Sequence, residues 1–255
     1  MQFLQKPAYQ LRARVSFPAI ATALSSPFRL WCYFRQRSAY LSLPEAEKDW
    51  SQRFVPILQD DTGTQDAQNF YYYQDCWGAR KIFELKPTSV VDIGSTVLLT
   101  GIISQFTPTI SVDVRPVQSH LPGLTNLEGD ITALKFPDAS QECVLSLCVI
   151  EHIGLGRYGD KIDPAGANKA AKELSRVLKP GGHLLISTMV GPPCLAFNAH
   201  RIFSVEDFLA MFPEFELLEE VFLYPKPGPR ERLCEVPLGQ GIFYCVQLRK
   251  KTYDS

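Results

Sequence analysis

Three aspartates and two histidines stand where this chain could do chemistry. Asp92 lies in the apolar run SVVDI (89–93), Asp113 in TISVDV (109–114) and Asp130 in LTNLEGDI (124–131). A carboxylate at the end of a buried strand can accept hydrogen bonds from both hydroxyls of a ribose. That chemistry is shared by nucleoside cofactors and does not by itself say which one. His152 follows ECVLSLCVI (142–150) and His200 follows HLLIST (183–188). Imidazole titrates near neutral pH, so either histidine can serve as a base. The competing reading is a histidine that fixes a loop by hydrogen bonds. His120 reads as exposed and His183 as structural. The glycine-rich segment GLGRYGDKIDP (154–164) carries Arg157, Tyr158, Asp160 and Asp163, and FNAHRIF (197–203) adds Asn198 and Arg201. Binding residues often ride on such loops, and arginine and asparagine suit a polar acceptor such as a sugar or a carboxylate. A plain turn at 154–164 competes with that reading.

The elements that must position these groups alternate between strand and helix from residue 88 onward. Apolar strands are expected at 89–93, 109–114, 124–131, 142–150 and 183–188, with two closing strands at 215–224 and 241–250. A short helix is expected near VLLTGIIS (97–104). A longer one is expected at 165–178, where Ala167, Ala170, Ala171, Leu174, Val177 and Leu178 fall on one stripe. Lys179-Pro180-Gly181-Gly182 stops it, with a glycine able to take the left-handed terminal conformation. Ser204 and Asp207 form a capping pattern for SVEDFLAMF. YYYQDCWGARKIFEL (71–85) reads as a helix leading into the core. Such alternation means an α/β, doubly wound, mostly parallel sheet, in which ligands sit at the carboxyl ends of the strands.

Composition bounds the rest. The chain has 255 residues, 45% of them apolar and 21% charged, with net charge −1. That is long enough for one sizeable domain and an appendage, and it gives no global attraction to nucleic acid. Residues 1–66 are expected to form an N-terminal extension and linker, and 67–255 the main domain. Residues 1–44 hold Lys6, Arg12, Arg14, Arg29, Arg35 and Arg37 and no acid. Ser26-Pro27 reads as a helix start, and FRLWCYFRQRSAYL mixes aromatics with arginines. Residues 26–41 could lie on an anionic membrane surface, form a transit segment, or lay their aromatics on the domain. No apolar run reaches the length needed to span a bilayer. Seven cysteines without a C-x-x-C pair fit no disulfide framework and imply a reducing compartment and a cytoplasmic location, with peripheral membrane contact left open; Cys143 and Cys148, in an apolar strand pattern, read as buried thiols. No metal ligand set is assigned.

The order DIG…SVD…GDITALKFPDASQECVLSLCVIEHI…ELSRVLKPGGHLLIS resembles class I S-adenosylmethionine-dependent methyltransferases over residues 70–250. ALKFPDASQECVLSLCVIEH and RVLKPGGHLLIS are the specific parts. EHIGLGRYGDKIDPAG with FNAHRIF further resembles an uncharacterised bacterial-type group associated with surface-glycan genes. The resemblance implies a seven-stranded sheet of order 3-2-1-4-5-7-6 with the last strand antiparallel, and S-adenosylmethionine as cofactor. Carried over by position, Asp92 belongs to the cofactor loop, and Gly94 and Ser95 approach the cofactor's amino acid part. Asp113 holds the ribose, Asp130 and Ile131 face the adenine, and Leu147, Cys148 and Val149 line the sulfonium side. His152 or His200 would be the base, and Arg157, Tyr158, Asp160, Asn198 and Arg201 would meet a small polar or glycan acceptor. Thr96 and Leu98 stand where the family's loop carries glycines. A nicotinamide enzyme is disfavoured because the first turn lacks G-x-G-x-x-G. The rival from another class is a non-catalytic binding or assembly protein on the same fold with a degenerate cofactor loop.

Overall fold

The structure, a computed structural model, describes residues 27–44, 46, 70–224 and 226–252. Residues 1–66 and 67–255 form two units. The first contributes helix α1 (Pro27–Ser42), which begins on its proline and has no buried residue. Within it Phe28 and Trp31 stack at 5.8 Å, and Arg35 lies 5.2 Å over the Trp31 ring. The expected Ser26 cap and nearly all of the 44–66 linker lie outside the described residues. No helix among the described residues is long and apolar enough to cross a membrane.

The second unit starts with α2 (Phe70–Leu85) and then winds as β1 (Val90–Ile93), α3 (Val97–Ile103), β2 (Thr109–Asp113), β3 (Leu124–Glu128) and β4 (Gln141–Leu147). It continues through α4 (Gly166–Val177), β5 (Leu178–Val190), β6 (Cys194–Ala196), β7 (His200–Ile202) and α5 (Val205–Ala210). β8 (Phe215–Leu223), β9 (Pro227–Gly228) and β10 (Ile242–Lys250) close the unit. The main sheet has the order β3-β2-β1-β4-β5-β10-β8-β9. Strands β3 to β5 pair in parallel, and β10 runs antiparallel to both β5 and β8. Apart from the two-residue β9, this is the expected order.

Period-two alternation divides the core between the two faces of the sheet. Val91, Ile93 and Val144 pack with Ala170, Ala171 and Leu174 of α4. Val90, Cys143 and Leu145 point the other way, onto Trp77 and Ile82 of α2 and Leu99 and Ile103 of α3. With both faces covered, the central strands read as continuous apolar runs. The alanines of α4 let that helix sit close to the sheet.

Three local departures matter for the site. The run expected as one strand over 142–150 ends at Leu147, because Cys148 takes φ 55° and turns the chain into a 3-10 turn, Ile150–His152. The third strand stops at Glu128, so Asp130 lies in the turn beyond it. A two-stranded β6–β7 hairpin forms in a segment for which no strand is expected, and His200 opens its second strand.

Candidate functional site

The site is assembled from the carboxyl ends of β1, β2, β3 and β4, where the winding reverses between β1 and β4. Asp92 is 1% exposed at the end of β1. Its Oδ2 accepts from the Thr100 hydroxyl at 2.6 Å, and its Oδ1 has no partner among the described residues. Burial pushes its pKa up to about 6; the Ser95 and Thr100 hydroxyls oppose that, and Asp113 and Asp75 add to it. Gly94 follows at φ 69°, and a Cβ there would stand 3.2 Å from Val149 Cγ2. Glycine takes that backbone without strain and leaves the loop open to a ligand.

The residues beside Gly94 fix the turn. Ser95 Oγ accepts from the Leu147 N–H at 3.1 Å, tying the loop to β4. Thr96 caps α3 by accepting from the Leu99 N–H at 3.3 Å, and it donates to Asp75 Oδ2 at 2.6 Å. Leu98 is 73% exposed on the outer side of α3. Of the two positions that depart from the glycine-rich pattern, Thr96 thus caps a helix and Leu98 faces outward, and neither lines the cavity that Asp113 and Asp130 share.

That cavity has a volume of about 350 Å³. Gly94, Asp113, Asp130, Ile131, Cys148, Val149, His152, Tyr158 and Asp160 all line it, as do Arg115, Lys161 and Lys169. Asp113 Oδ1 accepts from the Arg115 N–H at 2.7 Å, and Oδ2 lies 3.8 Å from where a Cβ on Gly94 would stand. Asp130 Oδ1 accepts from both the N–H and the hydroxyl of Thr132 at 2.8 Å. Leu147 is buried and contributes its backbone to the Ser95 tie rather than a wall.

On the other side of the cavity the chain is held by side chains reaching backbone. His152 Nδ1 lies 2.6 Å from the Ala199 carbonyl. A carbonyl can only accept, so Nδ1 carries the hydrogen and Nε2 keeps the lone pair. Burial lowers the His152 pKa; the Ala199 carbonyl opposes this, and the charges of Arg157 and His200 add to it. Asp160 accepts from the N–H groups of Gly154, Gly156 and Tyr158 at 2.8, 3.3 and 3.2 Å. Burial raises its pKa, but those backbone donors outweigh burial and hold it below the usual range. Tyr158 meets His152 edge-on at 5.5 Å, with Arg115 at 4.5 Å and Arg157 at 5.0 Å over its ring.

His200, Arg157, Asn198 and Arg201 are not part of the cavity lining. The His200 ring is 6.3 Å from that of His152. Arg157 donates to the Ala199 carbonyl at 3.0 Å and Arg201 to the Ile153 carbonyl at 2.6 Å, so both brace the loops. Asn198 is exposed at the tip of the hairpin. Sequence reasoning missed Glu151, which is 1% exposed and directly precedes His152. It also missed Gln74, whose Oε1 accepts from Ser187 at 2.7 Å and from the Cys148 thiol at 2.8 Å beneath the cavity. No pattern in the sequence separates these two from solvated side chains.

The family described as "Caenorhabditis protein of unknown function, DUF268" matches residues 133–224. No curated protein matches the chain. Among solved structures, the chain is similar to the 1,6-didemethyltoxoflavin-N1-methyltransferase of Burkholderia thailandensis, solved with bound 1,6-didemethyltoxoflavin and S-adenosylhomocysteine. Identity there is 15%, with 98% of this chain and 94% of that one covered and a TM-score of 0.52. It is also similar to the [4+2]-cyclase SpnF, at 16% identity, covering 70% of this chain and 81% of that one, with a TM-score of 0.51. The chain has the class I methyltransferase fold. One neighbour is named a methyltransferase and the other a cyclase, so the function must be argued from the site rather than from the fold.

Proposed function

We propose that the chain binds S-adenosylmethionine in this cavity and transfers its methyl group to a small polar acceptor. The observation that carries the reading is the convergence of Gly94, Asp113, Asp130 and His152 on one cavity. The residues present fit the cofactor. Asp113 suits the ribose hydroxyls and Asp130 the exocyclic amine of adenine. The orphaned Oδ1 of Asp92 adds a buried negative group next to the loop that would take the amino acid part, whose ammonium is positive. Cys148 and Val149 would line the sulfonium side. Bound there, the cofactor supplies a methyl on a sulfonium whose leaving thioether is neutral, so no leaving-group acid is needed.

The chain must then hold the acceptor at about 3–3.5 Å from the methyl and take its proton if it is a hydroxyl or an amine. His152 Nε2 is the atom for that proton. It keeps its lone pair because Nδ1 is committed to the Ala199 carbonyl, and burial keeps the ring neutral to lower pH. His200, 6.3 Å behind, is the second candidate. Tyr158, Lys161 and Asp160 give the acceptor side its polar character, which fits a sugar or a carboxylate-bearing molecule. All seven cysteines are free thiols, in keeping with a reducing compartment such as the cytoplasm. The exposed Phe28 and Trp31 beside the arginines of α1 support peripheral contact with anionic lipid. Replacing both with serine in the full chain should then release it from anionic vesicles.

The test is single-turnover transfer from methyl-labelled S-adenosylmethionine to a panel of sugars, hydroxy acids and amines. Label should move to at least one acceptor and not in His152→Ala. Cofactor binding with no transfer to any acceptor would favour the non-catalytic alternative.

A further inference from the structure

We propose that Glu151 is a positioning residue that works through His152: the two side chains form a buried pair in which the Glu151 carboxylate is the counter-ion of the imidazolium formed when His152 removes the acceptor's proton. The inference rests on the methyl-transfer reading and deepens it.

Glu151 and His152 share the 3-10 turn that follows β4. The Glu151 side chain is 1% exposed, and Oε1 lies 3.9 Å from His152 Nε2. That is about 1 Å outside hydrogen-bond reach. Oε2 accepts from the Thr188 hydroxyl at 3.3 Å. Among the described residues His152 is the one basic side chain within ion-pair distance of Glu151. A carboxyl buried without a lysine or arginine pays heavily for its charge unless the neighbouring imidazole becomes its counter-ion. Burial accordingly raises its pKa to about 7, against the opposing pull of its own backbone N–H, Cys148, Thr188 and Arg157.

The groups around the pair come from every neighbouring element. Cys148 stands at the end of β4, Thr188 on β5 and His200 on β7; Arg157 and Asp160 come from the loop. Tyr71 comes from α2, and its own pKa is raised by burial and then by Cys148 and Glu151. Arg157 is the fixed positive charge in this set, and it is tied to the Ala199 carbonyl at 3.0 Å.

In the step, the acceptor's lone pair bonds to the methyl carbon and the S–C electron pair stays on sulfur. The acceptor's proton moves to Nε2. The imidazolium is held as the counter-ion of the Glu151 carboxylate, and its Nε2 proton leaves to water after the product departs.

The test is an NMR titration of the full chain with isotope-labelled histidine, the His152 signal assigned by its loss in His152→Gln. Coupled sites titrate in two macroscopic steps, so wild-type His152 should show a biphasic curve. In Glu151→Gln the curve should become monophasic, with its upper midpoint lower by about 1 pH unit or more. A merely structural glutamate would leave that midpoint in place. A wild-type His152 that titrates in one simple step overturns the proposal without any variant, even where Glu151→Gln does not fold. An unchanged midpoint in folded Glu151→Gln also overturns it. The titration needs neither cofactor nor acceptor. Coupling in a chain that binds no S-adenosylmethionine would keep the pair but overturn its role in methyl transfer, whereas binding without coupling would keep the methyl-transfer reading and remove Glu151 from it.

Discussion

The two walls of the cavity are built differently. On the β1–β3 side the sheet ladder does the positioning: Asp92, Asp113 and Asp130 stand at or just past strand ends whose registers are fixed by parallel pairing. On the β4–β5 side the walls are loops, held by polar side chains that reach backbone: His152 to Ala199, Arg201 to Ile153, and Asp160 to three N–H groups. The family match at 133–224 takes in the second wall and stops short of all three aspartates. A ladder fixes where a strand-end carboxylate stands through backbone pairing, whereas a loop wall depends on each side-chain tie. The first wall is thus set by the backbone ladder and the second by individual side-chain ties.

Substitutions on the two walls should therefore fail in different ways. The largest effect is expected at His152, on the loop wall: His152→Ala should lower single-turnover rate by about 10²–10⁴-fold while cofactor affinity stays near wild type. Equal rates in the two proteins would move the base to His200, Tyr158 or Asp160. Next comes the loop itself. Gly154 has φ 81°, and a Cβ there would collide with the Asp163 carbonyl. Gly154→Ala should cost about 3 kcal/mol or more in denaturant unfolding, through strain and overlap together.

On the ladder wall the sign reverses. Burial holds the Asp92 pKa at about 6 in the folded chain against an ordinary 3.8. A raised acid pKa means that the folded state binds the proton more tightly than the unfolded one. Stability from this group is present at low pH and is lost as pH climbs from about 4 to about 6. Asp92→Asn should therefore stabilise the ligand-free protein at pH 7 by up to about 2–3 kcal/mol, change little at pH 4, and weaken S-adenosylmethionine. The pH dependence of unfolding checks it; a variant destabilised at pH 7 would show that the carboxylate is satisfied in the fold. The smallest effect is expected at Gly159, which shares the loop and a positive φ of 89° but has nothing within 4 Å of an added Cβ. Gly159→Ala should cost only about 1–2 kcal/mol, the left-handed backbone penalty alone.

The same division governs what could be read from the chain. Val90-Val91-Asp92-Ile93 declares a buried strand and its terminal acid by residue type alone, and the alanine stripe of α4 declares the face that meets the sheet. The sequence could not show that Cys148 would turn the chain and bury Glu151, because an acid after an apolar run looks the same whether it ends in solvent or under a helix. Arg201 braces a loop from outside the cavity, and Asp160, which lines the cavity as expected, also organises its own loop. These ties are decided by backbone carbonyls and amides whose positions exist only in three dimensions. Thr96 and Leu98 illustrate the converse: a motif position that looks like a loss is filled by a helix cap and an outward side chain.

The account stands most directly on whether Asp113 holds a ribose in the cavity. Calorimetric titration of the full chain with S-adenosylmethionine and S-adenosylhomocysteine should show one site for each. Asp113→Ala should weaken both by roughly 10- to 100-fold, the loss of hydrogen bonds to a charged group. Absence of binding to the wild-type protein at millimolar ligand, or an Asp113→Ala variant that binds as tightly as wild type, would contradict it.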